Sequence, residues 1–113
     1  LDKKKFYNTI NNLKRSNDIV DFYVGQNLRK NSFFLKQKKK IILNQEFFEQ
    51  PYEVIFRSLS ETIKLIGEKH YSVRGKKLDK MIENIEKKKS FRLTLGQCII
   101  EKVDQTVIIS KEH

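Results

Sequence analysis

Apolar residues first recur at helical spacing. Phe6, Ile10 and Leu13 stand three to four positions apart among lysines and asparagines. A second helical set, Ile19, Val20, Tyr23, Val24 and Leu28, follows Ser16, Asn17 and Asp18, any of which suits a helix N-cap. The phase nearly carries across that junction, so one long helix competes with two. Asn31 and Ser32 end the helical segment. The pattern then shortens. Phe33-Phe34-Leu35 and Ile41-Ile42-Leu43 flank the polar run Lys36 to Lys40, which predicts a hairpin. Lysines on such strands also blunt an exposed edge.

Asn44 opens a short helical turn holding Phe47 and Phe48, and Pro51 suits the first turn of the next helix. Tyr52, Ile55, Phe56, Leu59, Ile63 and Ile66 form one apolar stripe, while Val54 and Leu65 fall nearly opposite. That helix is therefore expected to be covered on two sides. Gly67 is its natural stop. A polar connection from Glu68 to Gly75 leads to another amphipathic helix, with Leu78, Met81, Ile82 and Ile85 inward. Its outer face carries Lys76, Lys80 and Lys87, and Asp79, Glu83 and Glu86 lie on a flank. Lys87-Lys88-Lys89 closes it where cations suit the helix dipole.

Phe91, Leu93 and Leu95 alternate in strand fashion. Gly96 is expected to bend or bulge this strand before Cys98, Ile99 and Ile100. A turn near Asp104-Gln105 leads to Val107, Ile108 and Ile109. The expected fold is α+β: amphipathic helices packed on a small antiparallel sheet formed by a middle hairpin and a C-terminal hairpin. Residues 1–32 form a helical linker segment and residues 33–113 the α+β domain.

Composition narrows the class. The chain has 113 residues, enough for one core, and 38% are hydrophobic, which argues against disorder. It begins with Leu1, the expectation for a piece of a larger protein. Lys and Arg number 24 against 14 Asp and Glu, a net charge of +10. Such a surplus draws in polyanions, nucleic acid first and an anionic membrane surface second. A lysine-rich composition alone would also produce it. No apolar run approaches the ~18 residues that span a bilayer. One cysteine, Cys98, permits no internal disulfide and suits a reducing compartment, hence the cytoplasm.

No nucleotide loop, nucleophile elbow or paired-cysteine metal motif is present, so no catalytic or metal-ligating set is expected. Cys98 with His70 could pair as nucleophile and base, but Cys98 stands in an apolar strand, where cysteine is usually a packing residue. The cations say more. His70, Tyr71 and Arg74 precede a helix whose first residues include Lys76 and Lys77, an arrangement that attracts phosphate. Tyr71 can stack on a base or pack back on the core. Arg57 stands one turn from both Glu53 and Glu61, which makes it structural. The run Lys36 to Lys40, the run Lys87, Lys88, Lys89 and Arg92, and Lys76 with Lys80 can be solvated faces or one continuous positive surface.

From about Ile41 to Glu112 the chain resembles the C-terminal region of bacterial tRNA(Ile)-lysidine synthases. Glu53-Val54-Ile55-Phe56-Arg57-Ser58-Leu59 is similar to that family's Glu-Val-x-x-Arg-x-Leu helix. Gly67 and Tyr71-Ser72-Val73-Arg74 match its Gly and Tyr-Pro-Pro-Arg, without the prolines. Thr94-Leu95-Gly96-Gln97-Cys98 resembles Thr-Leu-Gly-Gly-Cys, with Gln97 for the second glycine. Ile109-Ser110-Lys111-Glu112 resembles a terminal Ile-x-Arg-Glu. The resemblance implies a whole enzyme that spends ATP to adenylate the wobble cytidine of an isoleucine tRNA, after which free lysine displaces AMP. It assigns that chemistry, with its ATP and lysine, to an N-terminal phosphate-loop domain not contained in these residues. Residues 33–113 would then be the substrate-binding part, whose partners are tRNA and the catalytic domain. A dimerising or structural module of the same enzyme, and a stand-alone RNA-binding domain, are the alternatives.

Overall fold

A computed structural model describes residues 3–14, 19–37, 39–67 and 75–112. Among these residues four helices and five strands follow in the order α1 (Lys3–Lys14), α2 (Ile19–Asn31), β1 (Ser32–Leu35), β2 (Lys40–Leu43), α3 (Tyr52–Gly67), α4 (Gly75–Lys87), β3 (Ser90–Leu95), β4 (Cys98–Val103) and β5 (Thr106–Lys111). A 3₁₀ turn, Gln45–Phe48, links β2 to α3. The fold is α+β, with middle and C-terminal hairpins joined in one antiparallel sheet of order β1-β2-β5-β4-β3.

The register explains the sheet's two faces. Phe34, Ile41, Ile109, Ile100 and Leu93 pair in succession across all five strands. Residues directly opposite share a face, so this row is a single apolar band. Ile41, Ile100 and Ile109 in it are fully buried, as are Leu43, Val107 and Cys98 beside it. Against this face packs α3, which touches β2, β4 and β5. Its second face carries Val54, Ser58, Thr62 and Leu65, all buried, and meets α2. The two-sided burial expected from Val54 and Leu65 is what the fold uses.

Each element has a local cause. Asn44 caps the 3₁₀ turn by accepting from the Phe47 N–H at 3.0 Å. Pro51, which has no N–H to lose, offers its carbonyl to the N–H groups of Val54 and Ile55 at 2.9 and 3.1 Å. Lys102 donates to the Ile85 carbonyl, placing a cation at the last turn of α4. A buried amide chain joins the layers. Asn27 donates to the Phe47 carbonyl and to Ser58 Oγ, both at 3.2 Å, and Asn31 donates to Asn27 Oδ1 at 2.9 Å. Val24 and Leu28 of α2 enter the same core as the sheet, together with Phe6 and Ile10 of α1.

Several expectations change. α1 and α2 are separate helices packed on each other, which excludes the single long helix. Their expected caps at Ser16 to Asp18, and the Leu13 side chain, lie outside what is described. Gly96 is no bulge: Leu95 pairs directly with Cys98, so Gly96 and Gln97 are a two-residue hairpin turn. Both have positive φ, 60° and 64°, as a primed turn between twisted strands requires. The C-terminal region is therefore a three-stranded meander. Tyr52 lies outside the apolar stripe, 48% exposed, and donates to Asp79 on α4. Ile19 and Tyr23, read as apolar positions of α2, are 73% and 51% exposed. Arg57 bonds Glu53 at 2.9 Å and Asp21 of α2 at 3.1 Å rather than pairing with Glu61. Among the described residues no helix is long and apolar enough to cross a membrane.

Candidate nucleic-acid interface

The expected basic residues divide into three groups. His70, Tyr71 and Arg74 lie outside the described residues. Lys76 and Lys80 stand on the outer face of α4, opposite the buried Leu78, Met81, Ile82 and Ile85, and Lys77 is exposed on its flank. Lys88, Lys89 and Arg92 continue from the end of α4 into β3, all exposed. Among the described residues none of these six cations forms an ion pair. Lys87 does: it holds Glu83 at 2.8 Å. The hydrogen bond between them pushes Lys87 up and Glu83 down. Part of the Lys87 charge is thus answered within its own helix. A hollow between α4 and the outer strand β3 is lined by Lys77, Lys80, Met81, Asn84 and residues Leu93 to Leu95.

The lysines of the β1–β2 turn do not join that ridge. Lys36, Lys39 and Lys40 stand at the end of the sheet shared with the Gly96-Gln97 turn, whereas Lys88 and Lys89 enter at the other end. The register separates β2 from β3 by three strand spacings, ~14 Å. What connects the two groups is the sheet face not covered by helices. There Phe33, Ile42, Ile108, Glu101 and Arg92 form one cross-strand row, and Leu35, Lys40, Ser110, Ile99 and Thr94 the next. A hollow of about 630 Å³ on this side is lined by Lys39, Lys40, Arg92 and Lys111 together with Glu112 and the neutral Gln37, Ile99 and Ser110. Phe33 is 50% and Leu35 40% exposed, so the face mixes aromatic and aliphatic surface with cations.

Structural residues expected from sequence take definite places. Cys98 is fully buried and its thiol donates to the Ile63 carbonyl at 3.3 Å. Gly67 ends α3, but for a reason other than a left-handed cap: a Cβ there would stand 2.4 Å from the Gly96 carbonyl oxygen and 3.4 Å from Cys98 Sγ. Arg57 is raised above its ordinary value, first by the hydrogen bond to Glu53 and also by Asp21.

Sequence reasoning missed the exposed aromatics. Phe33 and Leu35 belong to a uniformly apolar triplet, and strand alternation sends Phe34 inward and its neighbours out. The signal for this was the shortness of the strand between Ser32 and the lysine run. Comparison with family models, with curated proteins and with solved structures finds no match.

Proposed function

We propose that this chain is the tRNA-contacting C-terminal module of an ATP-dependent tRNA(Ile)-lysidine synthase, and that it positions tRNA for a catalytic domain elsewhere in the same protein. The observation that carries the RNA reading is the set of exposed cations Lys76, Lys77, Lys80, Lys88, Lys89 and Arg92, none of which forms an ion pair among the described residues. A charge with no partner in the protein is free to replace counterions on a phosphate backbone. The family reading is supported by the meeting of three residues on which the resemblance rests. Gly67, Gly96 and Cys98 form one tight contact, in which the Gly96 carbonyl and the Cys98 thiol leave no room for a Cβ on Gly67. In this reading backbone contacts fix register, and the module carries no reaction step itself.

Fluorescence anisotropy with isoleucine tRNA and one unrelated tRNA tests the RNA reading. If about five cations meet phosphates, log K falls against log salt with a slope of roughly −4, alike for both tRNAs. A salt-independent affinity, or none, overturns it. The family reading is tested by the coding sequence upstream: a Ser-Gly-Gly-x-Asp-Ser phosphate loop supports it, and its absence leaves a stand-alone RNA-binding domain.

A second reading, dimerisation, is favoured by the apolar part of the open sheet face, where Phe33, Leu35 and Val103 are each 40% exposed or more. Sedimentation velocity across protein concentration separates it from the first.

A further inference from the structure

A cleft of about 280 Å³ opens where α1 and α2 meet the outer edge of β1. Its floor is apolar: Phe6, 3% exposed, stacks on Phe34 with centroids 5.6 Å apart and planes at 19°. Its walls include Tyr7 and Phe33, each 50% exposed. Two cations stand at the same cleft. Lys3 Nζ lies 5.8 Å from the centre of the Tyr7 ring, and Arg29 comes from the last turn of α2. No carboxylate lines the cleft among the described residues, and Lys3 and Arg29 form no ion pair there.

Half-exposed rings beside cations, with no acid lining the cleft among the described residues, match a ligand that is flat, aromatic and negatively charged at one end. A nucleotide has this form. Its base can lie against an aromatic wall while its phosphate meets Lys3 or Arg29. A base inside a duplex is already stacked and cannot enter, so the ligand is an unpaired residue. Phe33 also opens the outer-face row that ends on Arg92, four strand spacings away, or ~19 Å. One strand of RNA can therefore run from the cations of β3 across the sheet to this cleft.

We propose that the cleft between α1, α2 and β1 binds one unpaired nucleotide of RNA, its base lying against the wall that Phe33 and Tyr7 make together and its phosphate held by Lys3 and Arg29. This deepens the RNA-binding reading, on which it rests. It adds a sequence-tolerant grip on single strands to the salt-dependent grip on backbone.

The test uses the whole chain and a short single-stranded RNA carrying one 2-aminopurine. Stacking quenches the probe, so wild-type protein should lower its fluorescence on binding. Phe33→Ala and Tyr7→Ala should each weaken affinity several-fold to tenfold, the loss of a stacked base. Phe33→Tyr should restore it and Phe33→Leu should not, which separates stacking from simple apolar burial. Both ring positions are surface-exposed, and circular dichroism verifies that the variants fold. Full affinity in Phe33→Ala, or equal affinity in Phe33→Leu and wild type, overturns the proposal. So does concentration-dependent self-association abolished by Phe33→Ala, since the wall would then meet a second copy. Wild-type tRNA binding without quenching of the probe strand sinks the cleft but leaves the tRNA module standing. Absence of binding to both RNAs sinks both.

Discussion

Gly67, the last residue of α3, lies against Gly96 of the β3–β4 turn so closely that a Cβ on it would come within 2.4 Å of the Gly96 carbonyl oxygen. That oxygen is backbone and cannot swing aside. Gly67→Ala should therefore destabilise the fold by about 2–3 kcal/mol, the cost of forcing helix and turn apart. Urea denaturation measures it, and an unchanged midpoint would mean the contact is loose.

Cys98 should behave as a packing residue. Its thiol is fully buried and already has an acceptor in the Ile63 carbonyl. In Cys98→Ser the hydroxyl inherits that acceptor, so the loss should be on the order of 1 kcal/mol, at the low end for a buried polar group. Native protein should react with a thiol reagent only as fast as it opens. Labelling in seconds, with native circular dichroism retained, would contradict the burial.

The amide chain offers a sharper contrast. Asn27 serves the Phe47 carbonyl, Ser58 and Asn31 at once. Asn27→Ala leaves all three short of a partner in the interior and should cost about 2–3 kcal/mol, whereas Ser58→Ala removes one acceptor and should cost about 1. Thermal melts of the two single variants suffice, and the reverse order would count against this hierarchy.

Tyr52 gives a pH signature. The hydrogen bond it donates to Asp79 pushes its phenol up to about 12. A phenol whose pKa is raised in the folded state contributes stability that is full below its ordinary value of ~10 and is lost as the pH climbs through 12. The side chain is half exposed, so the energetic effect is small and spectroscopy is the better probe. In an ultraviolet titration one of the four tyrosines should ionise late, and Tyr52→Phe should remove that late step. A titration in which all tyrosines ionise together near 10 rules this out.

Charge and fold should separate in two variants. Reversing Lys88 and Lys89 to Glu should weaken every tRNA alike and flatten the salt slope, since both are exposed and neither forms an ion pair among the described residues. Arg57→Ala should leave affinity alone and cost less than about 1 kcal/mol, because its pairs with Glu53 and Asp21 are partly solvent-screened. Anisotropy and melting of the same samples decide both. A loss of affinity confined to isoleucine tRNA would show base-specific reading.

The helices were legible because burial follows spacing: Leu78, Met81, Ile82 and Ile85 point inward as their intervals demand. α3 could be read as doubly covered from Val54 and Leu65 alone. The Gly96 turn was misread because its evidence is a change of parity. Inward positions run Phe91, Leu93, Leu95 and then Cys98, Ile100, and a bulge or a two-residue turn alters the count alike. Gln97 hid the turn further, since glutamine seldom adopts a φ of 64°. The choice between one and two N-terminal helices rested on packing of α1 against α2, which no local pattern encodes. For the interface, the α4 cations were visible as a polar helix face. Phe33 was not, because which residue of an apolar triplet faces out depends on how β1 pairs.

The strand order has a consequence for assembly. β5 is latest in the sequence yet stands in the middle of the sheet, between β2 and β4. Until it arrives, β1–β2 and β3–β4 are two hairpins with no strand between them, each presenting an unpaired inner edge. During synthesis from the N-terminus the helices can begin to pack early, but the Ile41–Ile109–Ile100 band closes only after Thr106–Lys111 has emerged. Folding is thus gated by its most distant pairing, and a ribosome that stalls before residue 106 would hold out two sticky edges to the crowded surroundings.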